Sequence, residues 1–189
     1  MAVTKYMNRI IAASEVEAGY EERHRSKNQA AMHDQTYGIC SDPLTQFACV
    51  FAALIHDVDH PGITNQQLVK ENPPLATVYK GRSVAEQKSF DMSWDLFLDP
   101  CFDLLRSTLC PNGTDLTRFR QLVINCVMAT DLNDNDLKAL RNDRWSKAFD
   151  GVKTEDSTNR KATIVIEHLI QAAVSLTRKD SILAIACAC

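Results

Sequence analysis

The 189 residues are 45% hydrophobic and 24% charged, with a formal net charge of −3, the profile of an ordinary globular chain with room for one real core. The slight acidic surplus argues against a nucleic-acid or anionic-membrane footprint, which needs clustered basic charge. Six Gly and six Pro are too few for many short strands joined by tight turns.

The first periodic stretch is Val3 to Ala13, with apolar residues at helical spacing. The start, Met1-Ala2-Val3-Thr4-Lys5, lacks the long apolar run of a signal peptide, and no run of eighteen apolar residues occurs, so no membrane span is expected. Glu21 to Gln35 is polar and aperiodic and reads as a surface loop. Ser41-Asp42-Pro43 is a helix start, a capping side chain followed by Pro in the first turn. Phe47, Val50, Phe51 and Leu54 follow at i, i+3, i+4, i+7, the stripe expected to face a core. That helix runs into His56, and Pro61-Gly62 is expected to stop it.

Asn65 to Glu71 reads as a short helix closed by Asn72-Pro73-Pro74. Ser83 to Leu98 opens with Ser83 and Glu86 at capping-box spacing and carries Val84, Trp94 and Leu98 for burial. Asp115 to Thr130 is the clearest amphipathic stretch, with Leu116, Phe119, Leu122, Val123, Cys126 and Val127 on one side. Asp136 to Phe149 uses Leu137, Leu140, Trp145 and Phe149, and Thr158 to Leu176 is the last long helix. No period-2 alternation marks a strand and no internal repeat is present. The expected fold class is all-α.

Seven cysteines stand at irregular spacings with no CxxC pair, which excludes a zinc ribbon or a thioredoxin-like site. Several lie inside apolar runs, as in Phe47-Ala48-Cys49-Val50-Phe51, where a free thiol behaves as a small hydrophobe. The reading is a reducing, cytoplasmic compartment. The terminal Cys187-Ala188-Cys189 has the form of a prenylated end, but no polybasic stretch precedes it.

Chemistry concentrates after the Ser41 helix. His56-Asp57-Val58-Asp59-His60 sets four possible metal ligands in five residues, and imidazole mixed with carboxylate suits borderline and hard divalent cations. Apolar Leu54-Ile55 before it and Pro61-Gly62 after it anchor these charged groups to a core, where they need partners. A solvated, acidic helix end with two incidental histidines is the other reading of the spacing, and both stay open on spacing alone.

His56-Asp57-Val58-Asp59-His60-Pro61-Gly62-Ile63-Thr64-Asn65-Gln66-Gln67-Leu68 resembles the motif of the class I 3′,5′-cyclic-nucleotide phosphodiesterases. Pro74-Leu75-Ala76 with Tyr79, then Ser83-Val84-Ala85-Glu86, resembles the next block, and Val127-Met128-Ala129-Thr130-Asp131-Leu132 the later V-L-A-T-D-M segment. The resemblance is strong from about Leu44 to Asp131 and weaker to Ala172. It implies an all-α catalytic domain that hydrolyses cAMP or cGMP to the 5′-nucleotide with two divalent metal ions, Zn²⁺ and Mg²⁺ or Mn²⁺. By resemblance His56 ligates the first metal and Asp57 bridges both. His60 and Glu86 orient metal-bound waters, with Thr130 and Asp131 near the same water network. Asn65 and the Pro61-Gly62 turn are expected to hold the loop shape, and Asp59 a structural role.

Two departures qualify that expectation. The family's upstream H-N-x-x-H-A motif, which supplies the general-acid histidine and another ligand, does not occur: His24 precedes Arg25, and His33-Asp34 has no second histidine at the right distance. Downstream, Glu167-His168-Leu169-Ile170-Gln171-Ala172 approaches the family's metal-binding Asp segment, but Ala173-Val174 stand where the Asp belongs. Asp180 lies too far along to replace it, and His168, among Ile164, Val165 and Leu169, reads as a satisfied, partly buried histidine. The expected partition is a partial catalytic domain over 1–172, incomplete at both ends, and a divergent tail over 173–189. The expected activity of the chain itself is weak or nil. The alternatives are a non-catalytic regulatory or partner-binding helical module, and a different metal phosphohydrolase with a His-Asp pair, which the extended match through Leu68 disfavours.

Overall fold

The computed structural model describes residues 36–149 and 161–175, and all its regular structure there is helical. In chain order the helices are α1 (Pro43–Ile55), α2 (Asn65–Glu71), α3 (Pro73–Val78), α4 (Val84–Phe97), α5 (Asp103–Leu109), α6 (Gly113–Met128) and α7 (Asn135–Phe149). A further helix, α8, covers 161–175. Short 3-10 turns at Ile39–Ser41 and Pro100–Phe102 complete them. The expected helix at Val3 to Ala13, the loop from Glu21 to Gln35, His24, His33, Asp180 and the terminal cysteines lie outside the described residues.

The starts follow capping chemistry. Asp42 accepts from the N–H groups of Leu44 and Thr45, and Pro43 opens α1 where its missing N–H costs nothing. Asn72 and Pro73 do the same for α3, a helix where the sequence suggested only a stop. The short α5 was likewise not anticipated. α1 ends at Ile55, earlier than expected: His56 is its C-cap, and the following residues form turns before Pro61 is reached. Asp59 and Gly62, at φ 55° and 75°, complete that reversal in the left-handed region.

α1, α4 and α6 pack around Phe119, which is fully buried. Its ring centroid lies 5.7 Å from Phe47, 5.7 Å from Phe51, 6.0 Å from Trp94 and 5.5 Å from Phe97. Burying one such side chain contributes on the order of 1.5–3 kcal/mol. The α6 face is as expected, with Phe119, Leu122, Val123, Cys126 and Val127 buried.

Three expected faces need correction. In α1 the buried side is Thr45, Ala48, Cys49, Ala52 and Ile55; Phe47 and Phe51 flank it, while Val50 is 36% and Leu54 77% exposed. The helix is apolar all round, so period alone does not choose a side, and its small residues are what α6 packs against. In α4, Val84 and Trp94 are buried, but Leu98 caps the helix and is exposed. In α7 the buried residue is Arg141, whereas Leu140 and Trp145 are exposed. Arg141 turns inward because its guanidinium serves the carbonyls of Met128 and Asp131 at 3.3 and 3.4 Å. Trp145 instead stacks beside Phe149 and His168. His168 is half-buried with Nδ1 at 2.8 Å from the Ile164 carbonyl, the satisfied histidine expected.

Candidate active site

The His-Asp segment is the turn that leaves α1, and α4 holds it in place. Ser89 of α4 donates to the Val58 carbonyl at 2.6 Å, and Lys88 pairs with Asp59. Asp59 thus has the structural role expected of it. At the head of the turn His56 Nδ1 lies 3.0 Å from the Ala53 carbonyl. A carbonyl only accepts, so Nδ1 carries the hydrogen and Nε2 is left to face outward. Nε2 stands 3.1 Å from Asp57 Oδ2. A backbone acceptor on the other ring nitrogen is how ligating histidines are commonly fixed. In donor chemistry the pair fits one edge of a divalent-cation site. Among the described residues no group of three or more His, Cys, Asp or Glu gathers to complete such a site.

His60 is exposed and spends Nδ1 accepting the Gly62 N–H at 3.0 Å, which shapes the Pro61-Gly62 reversal. The more buried polar groups lie where α2, the start of α4 and the turn after α6 meet. Asn65 Nδ2 donates to Glu86 Oε2 at 2.8 Å and to Asp131 Oδ2 at 3.1 Å. Ser83 donates to the same Asp131 oxygen at 2.8 Å, and the Asn133 N–H to Oδ1 at 2.9 Å. Residues far apart in sequence are thereby tied together by side-chain hydrogen bonds.

This seam corrects one expectation. Ser83 is the N-cap of α4, but its hydroxyl makes no capping bond, and its backbone sits in the left-handed region at φ 38°. The capping box is not formed because Asp131 takes the Ser83 hydroxyl and Asn65 takes the Glu86 carboxylate.

Burial, and after it the charge of Asp131, pushes the Glu86 carboxyl above its ordinary range, against the lowering effect of the Asn65 bond and of His60. Thr130, half-buried, donates to the Val127 carbonyl at 2.7 Å and closes α6. Behind Asp131 stands Arg141, and with its amide oxygen turned toward that guanidinium Gln171 accepts from Nη2 and Nε at 2.8 and 2.9 Å. Next to it Glu167, buried, pairs with Arg144 at 3.1 Å. The sequence reading missed the bridging role of Asn65 and the inward turn of Arg141. Asn65 lies inside the quoted motif, which was the available signal; Arg141 had none.

The family model for 3′5′-cyclic nucleotide phosphodiesterase matches residues 3–178. Over 102 residues the chain is 37% identical to the probable 3′,5′-cyclic-AMP phosphodiesterase pde-4 of Caenorhabditis elegans, covering 51% of this chain and 15% of that protein. It is 34% identical over 126 residues to the cGMP-inhibited 3′,5′-cyclic phosphodiesterase 3A of Mus musculus, covering 63% and 11%. The chain thus aligns with only a small fraction of the length of these relatives. Among solved structures it resembles the phosphodiesterase domain of the RhoPDE fusion protein from the choanoflagellate Salpingoeca rosetta, with TM-score 0.54 and 23% identity over 69% of this chain and 40% of that one. It also resembles LmjPDEB1 in complex with IBMX, with TM-score 0.57 and 24% identity over 76% and 42%. These likenesses concern the fold alone, which is all-α as expected. With its motif segments in order on that fold and the family model matching most of its length, the chain belongs to the 3′5′-cyclic nucleotide phosphodiesterase family.

Proposed function

We propose that these residues are part of a cytoplasmic, metal-dependent hydrolase that converts a 3′,5′-cyclic nucleotide, cAMP or cGMP, to the 5′-nucleotide. The observation that carries the reading is the His56–Asp57 pair, 3.1 Å apart with Nδ1 already committed to a carbonyl. The relatives' names, which specify cyclic-AMP or cGMP-inhibited phosphodiesterases, support the substrate class. No helix among the described residues is long and apolar enough to cross a membrane.

In this reading His56 and Asp57 would hold the divalent cations, Zn²⁺ and Mg²⁺ or Mn²⁺. When bound, such ions supply an acidified water and neutralise charge at the cyclic phosphate. His60, Glu86, Thr130 and Asp131 orient solvent. Glu86, held above the ordinary carboxylate range mainly by burial, is suited to keep a proton to higher pH than an exposed carboxyl would. The catalytic portion is read as 1–172 and the tail as 173–189, with the family match ending inside that tail.

The sequence carries no H-N-x-x-H-A motif, and Ala173-Val174 follow Ala172 where the Asp would be expected. A general acid for the leaving oxygen is therefore not among the assigned groups. The 189-residue chain is expected to release 5′-nucleotide from cAMP or cGMP barely above background with Zn²⁺ and Mg²⁺ supplied. A chimera carrying both missing elements should turn over, and Asp57→Ala should abolish that turnover. Rapid hydrolysis by the unmodified chain means the catalytic groups are misassigned; a folded but inactive chimera favours a non-catalytic helical module.

A further inference from the structure

We infer that Asn65 is a positioning residue whose amide holds the Glu86 and Asp131 carboxylates side by side, a role that requires a donor at this position and not merely a helix-starting residue. The inference rests on the proposed function for its purpose, since Glu86 and Asp131 are the groups read there as orienting solvent.

The geometry is a fork. Both hydrogens of Asn65 Nδ2 are spent, on Glu86 Oε2 at 2.8 Å and on Asp131 Oδ2 at 3.1 Å. Its Oδ1 accepts the Ala85 N–H at 2.9 Å, one of the first-turn donors of α4 that has no partner within its own helix. Rotating the amide by half a turn would set its oxygen against two carboxylates and its N–H groups against a donor. One orientation is therefore fixed from both sides.

Glu86 and Asp131 are 8% and 4% exposed, so solvent does little to separate their charges. The charged groups facing them are His60 from the turn, which acts on Glu86, and Arg141 from α7, which acts on Asp131. Arg141 gives its hydrogen bonds to carbonyls and to Gln171, not to either carboxylate. Ser83 serves Asp131 alone. Asn65 is the donor common to both acids, and two carboxylates brought this close without one would repel or trap a proton.

The plainer role, a polar residue that starts α2 after the Thr64 cap, makes the opposite prediction for Asn65→Asp. Asp is isosteric with Asn and favoured in a first helical turn, so a mere helix starter would be unaffected or slightly stabilised. A positioning amide would be replaced by a third buried carboxylate. Chemical denaturation of the full chain, wild type against Asn65→Asp and Asn65→Ala, at about pH 8 and about pH 5 separates the two.

We expect Asn65→Asp to raise the unfolding constant by at least about tenfold at the higher pH, with much of the deficit recovered at the lower pH as the new carboxyl takes a proton and can donate. Asn65→Ala, which removes the donors without adding charge, should recover less on acidification. If Asn65→Asp is too unstable to fold at the higher pH, its folding at the lower pH is the expected result. Stability equal to wild type at the higher pH, or a deficit of the same size at both, overturns the inference.

Mn²⁺ affinity read by electron paramagnetic resonance should also fall about tenfold in Asn65→Asp, the scale typical of losing an outer partner of a metal site. The unfolding comparison does not depend on hydrolysis. A folded chain that turns over no cyclic nucleotide, even as the chimera, would refute the proposed activity and leave the Asn65 result standing.

Discussion

The two ends of α4 sit in different physical worlds. Its C-terminal half delivers Trp94 and Phe97 to the rings around Phe119, while its N-terminal half delivers Ser83 and Glu86 to the seam with Asn65 and Asp131. The aromatic block is held by area and shape, which are non-directional and tolerate swaps of similar volume. The seam is held by assigned donors and acceptors at 2.8–3.1 Å, where exchanging one atom for another of equal size changes the sign of an interaction. The same helix can therefore be robust at one end and exacting at the other, and the exacting end carries the residues read as functional.

The largest expected effect falls on the aromatic block. Phe119→Ala should destabilise the chain by about 3–5 kcal/mol, because it empties the centre of a cluster that cannot collapse from four sides at once. Phe119→Leu, which keeps most of the volume, should cost clearly less. Denaturant titration of the two variants checks this, and equal losses would mean that the block depends on ring geometry and not on filled space.

A smaller effect belongs to Asp42, where directional bonding reaches the edge of the same block. Asp42 caps α1 and pairs with Arg118 of α6. Asp42→Ala should cost about 1 kcal/mol, the usual value of a lost N-cap. Burial works to raise this carboxyl, but Arg118 and the Thr45 bonds outweigh it and hold it below the ordinary range. A depressed folded value means the stabilisation is complete at neutral pH and fades as pH falls through that value. Melting midpoints of the variant and wild type should converge on acidification.

The seam should respond in the opposite sense, with the smallest effect at any one pH. Glu86 is raised, by burial first and Asp131 after it, so the folded chain keeps that proton to higher pH than the unfolded one. Its contribution is complete below the ordinary carboxylate range and is lost as pH rises through the folded value. Glu167, also raised mainly by burial, adds a slope of the same sign. Glu86→Gln should flatten the fall of the melting midpoint between about pH 5 and about pH 8 without abolishing it. An unchanged slope would assign the whole effect to Glu167 and detach Glu86 from the seam's electrostatics.

Much of this molecule is legible in its sequence. Asp42-Pro43 and Asn72-Pro73 are local chemistry, since a cap satisfies donors within three residues of itself, although the second pair was read as a stop and not as a start. The 3.6-residue spacing of Phe119, Leu122, Val123 and Cys126 fixed the buried face of α6, because that helix has a polar side to contrast with it. α1 lacks such contrast, and which of its apolar sides met α6 could not be read from period. His56, Asp57, His60, Glu86 and Asp131 were named from ordered motifs, which identify residues without saying what each one touches.

What only the tertiary structure decided is where the long-range polar bonds go. Asn65 to Asp131 spans 66 residues and Ser83 to Asp131 spans 48, and no local pattern encodes such a pairing. Ser83 and Glu86 had the spacing of a capping box, yet buried acceptors elsewhere outcompeted the local bonds. Arg141 was hidden for the same reason: a buried guanidinium follows the carbonyls left free at the end of another helix, and their position is a property of packing. The sequence by itself determined the longer helices, the caps at Asp42 and Asn72 and the chemical identity of the candidate site, because those depend on neighbours along the chain. The packing of α2, α4 and the turn after α6 decided which donor answers which carboxylate, because hydrogen bonds are set by distance in space.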